Sequence, residues 1–200
     1  MDTRQVDFDV RRNSEGKEGL ETLSALKLDA QRSQKKGLPF IMASVILWGM
    51  ILAIQFLPGR VERLNLYTFI CSCYLMPLAY LFSRFLGINI FAKTTNSICK
   101  LGFHCTMNQM LYIFIVMWAF SEKPEAMVMI YAMVFGAHLL PYGWVYDSKM
   151  YMVVSVLDTL GALLLTIYFG NKIAILFIIC MQLLLCIRLI REVREVEGRT

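Results

Sequence analysis

Acidic residues are scarce where most of this 200-residue chain lies. Seven of its 15 Asp and Glu fall before position 30, and residues 63–121 hold none. A soluble domain spreads charge over its whole surface, so the scarcity argues against one. The first 37 residues contain no apolar run, so a cleaved signal peptide is not expected and the first apolar segment serves as its own insertion signal. The six cysteines include no CxxC pair. That excludes the usual zinc spacing and a dense disulfide framework, and leaves the thiols as small packing residues. No HExxH, GxSxG or glycine-rich phosphate loop is present, so the common hydrolase and nucleotide chemistries have no motif to rest on. No internal repeat is visible, which leaves an inverted-repeat transporter without sequence support.

What is there is apolar. Hydrophobic residues make up 58% of the chain and mean hydropathy is +0.56. The 13 methionines read as core filler rather than a copper path. Six segments reach the length and apolarity a bilayer crossing needs: 38–57, 65–86, 99–120, 126–146, 150–169 and 173–190. The connections are short and polar, which predicts an up-and-down bundle of antiparallel neighbours. The expected fold is therefore all-α: a six-helix transmembrane domain over 38–190, behind a polar tail over 1–37 and ahead of a charged end over 191–200. In the tail, Leu20, Leu23, Leu26 and Ala30 share one side of a helix, a narrow stripe suited to a short amphipathic segment.

Lys and Arg orient the bundle. With the N-terminus in the cytoplasm, the inner flanks hold twelve cations, Lys93 and Arg199 among them, and the outer loops hold four. Both termini are therefore expected inside the cell membrane. The net charge of +5 follows from these flanks and does not call for nucleic acid. Asn65, Thr68, Ser72, Ala79 and Ser83 form a small-residue face on the second span, and Gly49 and Ala53 offer another on the first. Small residues allow close helix approach in lipid.

Polar residues inside spans are costly and carry the functional expectation. On the third span His104, Cys105, Asn108, Gln109 and Tyr112 occupy an arc of about 140°, opposite Phe103, Met107, Met110, Phe114 and Met117. On the fourth, Tyr131, His138 and Tyr142 align beside Pro141, where a kink is expected. The fifth carries Tyr151, Ser155, Asp158 and Thr166, and the sixth Gln182 and Cys186. His138, Asp158 and Gln182 each lie about 12 Å from the inner end of their spans, with His104 and Asn108 at similar depth. These spacings predict a polar cluster in the inner half of the bilayer, with His104 and His138 as partners for Asp158. Asp158, His138, His104, Asn108, Gln109, Tyr112 and Gln182 are the candidate residues for a ligand or a proton.

Three classes of function fit. The first is binding or movement of a small solute or proton through the cluster, with Asp158 titrating and Asn108 orienting. The second is a structural, assembly or partner-binding protein, whose polar residues only fasten helices and whose charged ends are the working surfaces. The third is an intramembrane enzyme with His104, His138 and Asp158 as a two-His-one-carboxylate metal set. The first is preferred. No metal, cofactor or catalytic residue is assigned, and the expected surroundings are the lipid bilayer, a small solute or proton, and other copies of the chain.

The runs "FHCTMNQMLYIFIVMW" and "KPEAMVMIYAMVFGAHLLPYGWVYDSKMY" resemble a family of small bacterial polytopic membrane proteins of unknown function. The likeness extends from "KKGLPFIMASVILWG" to about Tyr151. It implies a one-domain bacterial membrane protein and brings no activity, cofactor or site residues.

Overall fold

A computed structural model describes residues 3–198 apart from 91 and 93, with side chains from Glu18 onward. Lys93 and Arg199, counted above among the inner cations, lie outside the described residues. The elements are α1 (Thr3–Ser33), a 3-10 turn (Lys35–Gly37), α2 (Leu38–Ile54), α3 (Val61–Ser72), α4 (Leu75–Phe85), α5 (Ser97–Glu122), a second 3-10 turn (Pro124–Ala126), α6 (Met127–His138), α7 (Leu140–Val145), α8 (Lys149–Phe169) and α9 (Asn171–Glu197). No strand occurs among the described residues, and the all-α expectation holds. Six helical segments are long and apolar enough to cross a membrane. Two of them are compound. The second span breaks between α3 and α4 just ahead of Pro77. The fourth breaks at Leu139, two residues before Pro141, because proline cannot donate to the helical ladder.

The bundle is asymmetric. α8 packs on α6 and α9, and α2 lies against α9 and α4. The centre is filled by Leu47, Trp48 and Ile51 of α2 with Tyr131 and Phe135 of α6 and Ile178 and Leu185 of α9. Trp48 meets Phe135 edge to face at 5.2 Å between ring centroids. By contrast α5 keeps most of its surface outside, with Phe103, Met110, Phe114 and Trp118 exposed. Such an apolar exterior is what a lipid-facing helix presents.

The small-residue face of the second span is buried as expected, with Asn65, Thr68, Ala79 and Ser83 all enclosed. Asn65 also donates to the Pro124 carbonyl at 2.7 Å. The matching expectation for the first span is corrected. Gly49 and Ala53 point outward, and a Cβ added at Gly49 meets no atom within 4 Å. α2 turns its bulky Leu47–Trp48–Ile51 side inward instead, where the aromatic residues of α6 leave room for it.

The N-terminal segment is one long helix. Ala30 is buried, Leu23 and Leu26 pack on the core, and Leu20 stays exposed. Asn96 ties this helix to α5. Its Oδ1 caps α5 by accepting from the Ile98 and Cys99 amides, while its Nδ2 donates to the Leu26 carbonyl at 2.8 Å and the Asp29 carboxylate at 2.7 Å. The Lys27 ammonium sits 3.9 Å above the Trp144 ring. Between α1 and α2 the chain reverses through three left-handed residues, Lys35 (φ 44°), Lys36 (φ 51°) and Gly37 (φ 72°). Gly37 is required there twice over. Its φ suits only glycine well, and a Cβ would sit 3.1 Å from both Tyr146 Cε2 and the Tyr151 hydroxyl.

Candidate functional site

The polar residues of the spans divide into two groups. The first is fully enclosed. Gln182 on α9 donates from Nε2 to Asp158 Oδ2 on α8 at 2.7 Å. Its Oε1 accepts from Ser44 Oγ on α2 at 3.2 Å, and Ser44 Oγ also lies 2.8 Å from the Ile41 carbonyl. Asp158 and Gln182 have no accessible surface and Ser44 almost none. Asp158 Oδ1 and Trp48 Nε1 are buried with no hydrogen-bond partner among the described residues. α6 crosses this group closely: a Cβ at Gly136 would lie 2.9 Å from Asp158 Cβ.

This chain of bonds joins the consecutive helices α8 and α9 to α2, whose Ser44 lies more than a hundred residues earlier. Interhelical hydrogen bonds in membrane bundles are each worth about 1–2 kcal/mol in model peptides and about 0.6 on average in proteins. Gln182→Leu removes both bonds at once and leaves the carboxyl without a donor. We expect it to cost about 1–2 kcal/mol, read as a lower SDS fraction at the midpoint of unfolding in mixed micelles. An unchanged midpoint would mean that these residues do not fasten the bundle.

The second group lines a cleft of about 330 Å³ between α5 and the α6–α7 break, walled by His104, Cys105, Asn108, Tyr112, His138 and Pro141. The helical break at Leu139 sets its far wall. His104 Nδ1 lies 2.7 Å from the Lys100 carbonyl of its own helix, and His138 Nδ1 is bonded to the Phe135 carbonyl. Asn108 Nδ2 donates to the Tyr112 hydroxyl at 2.8 Å. His104 and Asn108 are exposed on the flank of α5, whereas His138 and Tyr112 are half-buried.

Of the seven candidate residues, the structure brings His104, Asn108, Tyr112 and His138 to the cleft, and Asp158 and Gln182 to the enclosed group. Gln109 is half-buried outside the cleft wall. The expected pairing of Asp158 with His104 and His138 is not formed; Gln182 takes the carboxylate instead. The cause is the twist of α6 between the two groups. Its Gly136 side abuts α8, while Ala137 and His138 turn to α5. His104, His138 and Asp158 therefore do not converge. No group of three or more His, Cys, Asp or Glu poised to hold a metal occurs among the described residues.

Two features escaped the sequence reading. Ser44 is the lone hydroxyl in α2, and that isolation was a usable signal. The other is a buried ion pair between the turn ahead of α2 and the last turns of α9: Lys36 Nζ lies 3.0 Å from Glu192 Oε2, and Arg188 Nε lies 3.2 Å from Glu192 Oε1. Nearby, the Tyr151 hydroxyl donates to the Lys36 carbonyl and the Tyr146 hydroxyl to Gln34 Oε1, each at 2.8 Å. Tyr142 stacks on Tyr146 with ring centroids 5.9 Å apart.

Six helical segments are long and apolar enough for a multi-pass membrane protein, by length and composition, and three of them share the enclosed polar contacts. The model of a family of unknown function, DUF7010, matches residues 23–192, and the chain belongs to that family. The matched region takes in the last two helices and the end of α1, beyond the stretch whose sequence carried the resemblance. No curated protein and no solved structure matches the chain.

Proposed function

We propose that this chain is a binding protein of the bacterial cell membrane that takes a small polar or amphipathic ligand into the cleft between α5 and the α6–α7 break. One observation carries the reading. Four polar side chains from two helices line a single concavity at the outer surface of a span, a place where polar groups are otherwise costly. The excess of Lys and Arg on one set of span flanks, twelve against four, supports a cytoplasmic position for both termini. The cleft then opens in the inner half of the bilayer.

The enclosed Ser44–Gln182–Asp158 chain favours a second role for the remaining polar residues. They hold α2, α8 and α9 together, as the structural alternative requires. The fastening and the binding residues are thus separate sets within one bundle.

Ala137→Phe tests the binding role, because Ala137 lines the cleft and is exposed. Wild type and variant are purified in the same mild detergent and compared by native mass spectrometry. A bound small molecule on the wild type that is at least tenfold depleted on the variant supports the proposal. The same adducts on both proteins, or none on either, overturn it.

A further inference from the structure

We infer that the ligand of this cleft is a neutral membrane alcohol, an amphipath entering sideways from the bilayer with a free hydroxyl at its head. This rests on the binding role proposed above and specifies its chemistry.

Donors and acceptors in the cleft wall set the chemistry of the ligand. A backbone carbonyl only accepts, so the bonds from His104 Nδ1 to the Lys100 carbonyl and from His138 Nδ1 to the Phe135 carbonyl fix the proton on each Nδ1. In a neutral imidazole the other nitrogen, Nε2, is then a lone-pair acceptor. Asn108 spends one amide hydrogen on the Tyr112 hydroxyl, which leaves its Oδ1 as a third acceptor. Against these stand the Tyr112 hydroxyl hydrogen, the second Asn108 amide hydrogen and the weak thiol donor of Cys105. The three strong acceptors outnumber the two strong donors, so the cleft suits a ligand that brings hydrogen-bond donors.

Charge narrows the class further. The wall contains no Lys, Arg, Asp or Glu. Within the wall a phosphate head would find no cation to offset its desolvation, the nearest on α5 being Lys100 one turn beyond His104, and an ammonium head would find no carboxylate. A hydroxyl needs neither. The source follows from position. His104 and Asn108 are exposed on a span whose neighbouring Leu101, Phe103, Met107 and Leu111 are also exposed. A ligand there has its head in the cleft and its apolar part against these side chains. A volume of about 330 Å³ accepts a head and the first methylenes, with the rest of the tail left in lipid.

The test uses the full chain in phosphatidylcholine nanodiscs, followed by thermal unfolding. The probes are 1,2-dioleoylglycerol, its 3-O-acetyl ester and free glycerol. Dioleoylglycerol at a tenfold excess over Kd is expected to raise Tm by roughly 3–6 °C, and the capped ester and glycerol to have no effect. The rise is expected to vanish in the double variant His104→Leu, Asn108→Leu. Both side chains are exposed and bonded only within α5, so that variant retains the fold and its own Tm reports as much. An equal rise with the acetyl ester overturns the donor requirement and leaves the binding role standing. A rise with glycerol alone overturns the bilayer source. A rise that persists in the double variant places the lipid elsewhere and overturns the inference. No rise with any probe overturns the inference too; the binding role is decided separately by the Ala137→Phe comparison.

Discussion

Lys36→Met is expected to be the most destabilising exchange among the ionic contacts between the 35–37 turn and α9. Lys36 and Glu192 are nearly enclosed, with 6% and 11% of their side-chain surfaces accessible. Removing one partner of a buried pair strands the other charge, which typically costs about 3–5 kcal/mol. Arg188 retains a contact with Glu192 from a half-exposed position, so the lower end, about 3 kcal/mol, is the expected loss. The double exchange Lys36→Met, Glu192→Leu removes both charges and is expected to recover most of it, since apolar replacement of a buried pair is often neutral or better. Met keeps the backbone preferences of an unbranched side chain at φ 51°, so the comparison isolates the charge. The neighbouring pair, Lys35 with Glu197, is more exposed, and Lys35→Met should change stability by about 0–1 kcal/mol. SDS unfolding of the four proteins reads all of this. A loss for Lys36→Met no larger than that for Lys35→Met would show that water reaches the inner pair.

That ion pair also shows what sequence reading missed. Lys36 and Glu192 are 156 residues apart, and each looks like an ordinary flanking charge, one before the first span and one after the last. Lys36 sits inside the left-handed turn at Lys35–Gly37, and that turn is what delivers its ammonium to Glu192 on α9. Periodicity sees a helix and its faces, but not a three-residue reversal that decides where the next helix starts. The spans themselves were legible because apolar length is a local property. So was the break at Pro141, since a missing amide acts within one turn.

The polar stripes were legible as stripes and not as partners. Asp158, Gln182, His104 and His138 sit at similar depth in their spans, and depth follows from counting residues. Which stripe faces which depends on helix rotation within the bundle, and α6 decides it here. Its glycine side goes to α8 and its histidine side to α5, so a single expected cluster becomes an enclosed fastener and an open cleft. The first span erred for a related reason. Gly49 and Ala53 had the composition of a packing face, but the large inward residues of α2 set its rotation.

Gly136→Ala is expected to cost about 1–3 kcal/mol, the range for overpacking, although alanine is the better helix former by about 1 kcal/mol. The new Cβ would stand 2.7 Å from the Thr159 backbone nitrogen, 2.8 Å from its Oγ1 and 2.9 Å from Asp158 Cβ. Two of these three atoms belong to the backbone or to a Cβ and cannot swing aside, so relief requires α6 to move away from α8. That movement loosens one of the two most extensive helix contacts in the bundle and shifts the helix that separates Asp158 from the cleft. Gly49→Ala is the control. Its Cβ meets nothing within 4 Å, so only helix propensity acts, and it should gain up to about 1 kcal/mol. The same substitution in two spans of one protein is thus expected to have opposite signs. If both variants unfold at higher SDS than the wild type, α6 and α8 are not in the close contact that holds Asp158 away from His138. The division into fastener and cleft would then have to be abandoned.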